Sequence, residues 1–87
     1  MIIASAILFH IDKTDKDVVL CGLRHADIYK QLKLLGFKPK QGYKEISQGF
    51  INDAGNFLSR EEAYIQALLS GQISEKSNKS LFSEDLW

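Results

Sequence analysis

The chain has one cysteine, two histidines, no excess of charge of either sign and no apolar run long enough to cross a bilayer. Each shortage excludes something. A single Cys21 forbids an intrachain disulfide and suits a reducing compartment. It closes the apolar run Val18-Val19-Leu20 and reads as a buried, inert thiol rather than a nucleophile. His10, His25 and Cys21 show no metal-ligand pattern, so no metal site is expected. Eleven basic residues balance eleven acidic ones, which weighs against a DNA partner. The apolar run Ile2–Ile11 is too short to span a membrane, lacks a basic leader and contains Ser5 and His10, so neither signal peptide nor anchor is expected. There is no GxSxG, no phosphate-binding P-loop, no internal repeat and no extended low-complexity segment, and nothing argues for an enzyme.

What is present fits one domain, residues 1–87, with 45% hydrophobic and 25% charged residues. A core this small is thin, and oligomerisation is a common remedy. Ile2–Ile11 reads as a central strand buried on both faces, Asp12–Asp17 as a hairpin connection and Val18–Cys21 as a second strand. Arg24–Leu35 reads as a helix with Ile28, Leu32 and Leu35 on one stripe and Gly36 at its C′ position. Phe37–Ser47 reads as a connection long enough to be a functional loop.

Gln48–Ala63 is the most strongly signalled stretch. Gly49-Phe50-Ile51 and Phe57-Leu58 flank Asn52-Asp53-Ala54-Gly55-Asn56, a turn sequence, and so form a second hairpin. Ser59 and Glu62 have the spacing of a capping box, followed by a helix over Arg60–Ser70 that Gly71 ends. The expected fold is therefore α+β: a small antiparallel sheet of about four strands in two hairpins, packed with two helices. Residues 72–87 form a tail whose polar first part gives way to Leu81-Phe82 and Leu86-Trp87. Such an ending either folds back on its own core or docks on a neighbouring subunit.

Charge is segregated although it sums to zero. Residues 24–44 carry six bases against Asp27 alone, and residues 45–87 carry seven acids against three bases. The basic segment can form an anion site, and equally a solvated helix face with spare lysines. Arg24-His25 and Arg60 stand at the two helix starts, where free N–H groups and the helix dipole favour phosphate. Phe50, Tyr43 and Phe57 lie nearby, and Gly49 beside Phe50 lets a flat ligand approach the backbone. Gln48 and Asn52 carry paired donors and acceptors that can read a base edge. Core packing for the phenylalanines, and a surface arginine beside a hydrogen-bonded histidine, account for the same residues without a ligand.

Three pieces together resemble a known pattern: Gly22-x-Arg24-His25-Ala26-Asp27-Ile28; Gln48-Gly49-Phe50-Ile51 with Gly55, Phe57, Arg60, Glu62 and Ala63; and Gly71-Gln72-Ile73 followed by Leu81-Phe82-Ser83-Glu84-Asp85-Leu86-Trp87. This resembles a widespread family of short phage and prophage proteins, the phage nucleotide sponges that counter CBASS immunity, which are similar in style to the anti-Thoeris sponges. The resemblance runs from Gly22 onward. It implies a non-enzymatic protein of the host cytoplasm that binds and withholds a cyclic dinucleotide such as cGAMP, or a related signal. It further implies a homo-oligomer, dimer or tetramer, with sites between subunits, and no cofactor. On the matching positions, Arg24, His25 and Arg60 would hold phosphates, Phe50 would stack a base, and Gln48 and Asn52 would read edges. The alternative is a protein-binding phage inhibitor that docks on a host factor through its aromatic tail.

Overall fold

A computed structural model describes all of residues 1–87. Strand β1 (Ile2–Ile11) is joined by a tight turn to β2 (Lys16–Gly22). Helix α1 (His25–Leu34) follows, then β3 (Tyr43–Asn52), β4 (Phe57–Ser59) and helix α2 (Arg60–Leu69). A single 3-10 turn, Ser83–Asp85, lies near the end. The four strands form one antiparallel sheet in the order β2-β1-β3-β4. The two expected hairpins are there, zipped together by β1 and β3, and the fold is α+β.

Both helices cover the same face of this sheet. Register sets that face: Ser5 pairs with Phe50, and Ile7 with Gln48. Ile7 and Phe9 pack with Ile28 and Leu32 of α1, while Ile2 and Phe50 pack with Ala63, Tyr64 and Ala67 of α2. The alanines at 63 and 67 let α2 approach closely. The opposite face is only partly protected. Ala6 is buried there, but Ile3 and Val19 are exposed, so β1 is central as expected without a helix over its second face. Cys21, paired with Ala6 on edge strand β2, is exposed rather than buried.

The second departure is at β3. It starts at Tyr43, not at Gly49, so the α1–β3 connection is a loop only as far as Gly42. Tyr43, Lys44 and Glu45 pair with Ile11, His10 and Phe9. Their polar character gives no strand signal by itself, and the ladder with β1 overrides it.

Local geometry explains the boundaries. Ser59 Oγ accepts the Glu62 N–H at 3.1 Å and Glu62 accepts the Ser59 N–H at 3.0 Å, a complete capping box. That pairing holds the Glu62 carboxyl below its usual range. In α1, Arg24 is the N-cap and its N–H donates to Asp27 at 3.1 Å. Gly36 ends the helix at φ 95, a conformation that favours glycine.

The tail folds back on its own chain. Leu81 is fully buried among Ile2, Phe50 and Tyr64, with Leu86 and Trp87 packed against the cluster. Burying a leucine to that extent stabilises by roughly 2 kcal/mol. The Leu81 N–H donates to the Arg60 carbonyl at 3.0 Å. Gln72 accepts the Ile2 N–H at 2.7 Å and donates to the Ile2 carbonyl at 2.9 Å, pairing both backbone groups at the start of β1.

Candidate functional site

His25 opens α1 and turns inward, with 9% of its surface exposed. Its Nε2 lies 2.8 Å from the Gly49 carbonyl and its Nδ1 lies 2.6 Å from Ser83 Oγ. Ser83 Oγ in turn lies 2.8 Å from Ser5 Oγ, which reaches the Leu23 carbonyl at 3.0 Å. The His25 ring also meets Phe50 edge to face at 5.2 Å. Burial pushes the imidazole below its usual range and Arg60 adds to that, against the Gly49 carbonyl, Glu84 and Glu45. At neutral pH the ring is therefore uncharged, and it joins α1, β1, β3 and the tail rather than presenting a cation to phosphate. The Ser83–His25 pair has the spacing of a nucleophile and base, but Ser83 is buried and Nε2 is bound to a carbonyl.

Arg24 and Arg60 both face the tail. An Arg24 nitrogen donates to the Trp87 carbonyl. Arg60 Nη1 donates to the Leu81 carbonyl at 2.8 Å, Nη2 donates to Gln48 Oε1, and the guanidinium lies 4.8 Å from the centre of the Phe82 ring. These two helix starts clamp the returning chain. Phe50 has no exposed surface, so neither ring face is open to a base. Asn52 is buried, and its Oδ1 accepts the N–H groups of Ala54 and Asn56 at 3.1 and 2.9 Å while Nδ2 donates to Gln66. It builds the β3–β4 turn. The flat group that Gly49 admits is the chain's own: a Cβ there would stand 2.0 Å from the Leu58 carbonyl oxygen and 2.9 Å from the Phe57 ring.

The structure therefore brings five of the six residues, Arg24, His25, Gln48, Phe50 and Arg60, into one region against the tail. Asn52 is engaged separately at the turn.

The concave surface of the molecule lies elsewhere. A groove of about 900 Å³ runs between the end of α1, the Gly36–Lys40 loop and the start of β3. Tyr29, Phe37 and Tyr43 line it with Leu32, and Lys33, Lys38 and Lys40 surround them. Tyr43 is fixed by edge-to-face contacts with Phe9 at 5.5 Å and Phe37 at 5.8 Å, and its hydroxyl accepts the Lys40 N–H at 3.1 Å. None of the three lysines has a carboxylate within 4.0 Å. Three free ammonium groups around aromatic faces suit a flat, anionic ligand.

One acid lines the groove. Glu45 Oε1 accepts the Tyr29 hydroxyl, Gln48 Nε2 donates to that hydroxyl at 3.0 Å, and Gln48 Oε1 is held by Arg60. Burial, with the Glu45 bond and charge, pushes the Tyr29 hydroxyl up to about 12. Gln48 thus links the tail clamp to the groove. The sequence signalled the groove residues as the basic count over residues 24–44, as Tyr43 among the aromatics, and as the Phe37–Ser47 connection, but not as one site. Their convergence depends on β3 starting at Tyr43.

No group of three or more His, Cys, Asp or Glu side chains could hold a metal, and no helix is long and apolar enough to cross a membrane. A family model described as Phage T4 y16D protein matches residues 1–87. That span includes the first strand and the residue 37–47 segment, which lie outside the motif resemblance. Neither a curated protein nor a solved structure matches the chain.

Proposed function

The chain belongs to the phage T4 y16D protein family, and from that premise we propose that it binds a small nucleotide and withholds it, unaltered, from a host effector. The observation that carries this reading is the groove. Its 900 Å³ falls within the range of small-molecule sites. Its rings offer stacking worth about 1–3 kcal/mol per base, and its unpaired lysines offer charge for phosphates. The signal class, a cyclic nucleotide of CBASS-type defence met in the host cytoplasm, comes from the motif resemblance. Withholding a ligand requires affinity and no catalytic group.

The groove is formed within one chain, so this reading needs no subunit interface for binding. A homo-oligomer remains part of the proposal as an assembly of independent sites. The alternative, docking on a host protein through the tail, has less support because Leu81 is buried and Leu86 and Trp87 pack on the core.

The test is to incubate the protein with a mixed pool of cyclic and linear nucleotides, wash it, denature it and analyse what is released by mass spectrometry. The expected result is an intact nucleotide at about one per chain, lost in a Lys33→Glu, Lys38→Glu double variant. Release of an altered nucleotide would make the protein an enzyme, and retention of none would end the reading.

A further inference from the structure

We propose that the groove selects guanine, with Glu45 as the residue that reads the base. This rests on the nucleotide reading of the same groove. Glu45 is the only acid in the lining, and no lysine pairs with it. It is also held in place. Its Oε1 takes the Tyr29 hydroxyl, that hydroxyl takes Gln48 Nε2 at 3.0 Å, and Gln48 is bound by Arg60. The remaining contacts to the carboxylate are two long ones of 3.4 Å from Gln48. Oε2 therefore keeps acceptor capacity in the groove that Tyr29 and Tyr43 also line.

A carboxylate accepts and cannot donate. Among the common bases, guanine alone has two adjacent N–H donors on its pairing edge, at N1 and N2. Adenine and cytosine place a ring-nitrogen acceptor beside their amino group, and uracil flanks its single N–H with two carbonyls. Each of those acceptors would face the Glu45 oxygens and be repelled. A guanine stacked on the groove rings instead meets Glu45 with two donors, leaving its phosphate for Lys33, Lys38 and Lys40. Tyr29 is a positioning residue here, since its hydroxyl orients the carboxylate.

The experiment is titration calorimetry with GMP, IMP, AMP, CMP and UMP against the wild type, Glu45→Gln and Tyr29→Phe. GMP is expected to bind about tenfold or more tighter than AMP, because hydrogen bonds to a charged group are strong. IMP, which lacks the 2-amino group, is expected to fall between them. Glu45→Gln removes the preference, weakening GMP and tightening AMP because its amide can both donate and accept, and Tyr29→Phe narrows it without abolishing binding. Glu45 is exposed, and an unchanged melting curve for Glu45→Gln separates lost selectivity from lost folding. Equal affinity for GMP and AMP, with both abolished by Lys33→Glu, Lys38→Glu, overturns guanine selection alone. No binding of any of the five overturns the groove reading with it.

Discussion

Ser83 Oγ lies 2.6 Å from His25 Nδ1, and this contact ties the tail to the first turn of α1 through a ring that titrates. It belongs to a row of four contacts: Leu23 carbonyl, Ser5, Ser83, His25 and the Gly49 carbonyl. A neutral imidazole and two hydroxyls supply three protons for those four contacts, and an imidazolium with the same two hydroxyls supplies four. In the neutral state Nε2–H donates to Gly49 and the Ser83 hydroxyl donates to Nδ1. Ser5 then has one proton to serve two neighbours.

The two serines should therefore differ. Ser83→Ala leaves Nδ1 buried without a donor and should cost about 1–3 kcal/mol. Ser5→Ala removes the member with a contact to spare and should cost less than about 1 kcal/mol. Urea denaturation of both variants checks the order, and equal losses would show that the proton count does not govern the row.

The histidines give opposite pH signatures. Burial lowers the His25 pKa from the ordinary 6.5, so the folded state binds its proton less readily than the unfolded chain. Its stabilising contribution is complete above pH 6.5 and is lost as pH falls below that value. His10 is raised, chiefly by its bond to Asp17 and further by Asp15, so its contribution is complete below 6.5 and is lost as pH rises through the higher folded value. Melting curves between pH 7.5 and 5.5 should thus fall with acidification for His10→Gln and rise with it for His25→Gln.

Gly49 has a steric role that any side chain abolishes. The Leu58 carbonyl would lie 2.0 Å from an added Cβ, and backbone cannot yield as a side-chain tip can. Gly49→Ala should destabilise by about 3 kcal/mol or more, seen as a large drop in the urea midpoint. A change below about 1 kcal/mol would mean that β4 is free to move away.

Lys40 separates binding from folding. It sits at φ 57 without being glycine, a conformation that strains an L residue by about 1–2 kcal/mol. Lys40→Gly relieves that strain while adding freedom to the unfolded chain. The urea midpoint should hold steady or rise by up to about 1 kcal/mol equivalent, while nucleotide affinity falls with the lost charge. Reduced stability would contradict the strain.

The parts of this fold legible in the sequence are those decided locally. The Ser59–Glu62 box, the Asn52–Asn56 turn and the glycine after α1 depend on neighbours a few residues away, and they mark two hairpins and two helices. What stayed hidden depends on distant partners. Tyr43–Ser47 is strand because β1 lies beside it, and nothing in its own composition announces that. Arg24 and Arg60 stand at helix starts as the sequence indicates, yet their partners are carbonyls in a tail whose direction no local signal specifies. Asn52 can read a base or build a turn by residue type, and burial decides for the turn. The groove assembles from the basic segment only once β3 begins at Tyr43.

Ser5 and Ser83 touch across 78 positions of chain, and Leu81 fills a place beside Ile2 and Phe50. During synthesis the first hairpin can zip as soon as it emerges, but the layer beneath α2 lacks Leu81 until the segment after α2 follows. Contacts this distant in sequence close slowly, since a long loop must be ordered before they reward it. Until Leu81 is in place the part of Ile2 and Phe50 that it covers stays open, so productive folding competes with aggregation and chaperone capture over that interval.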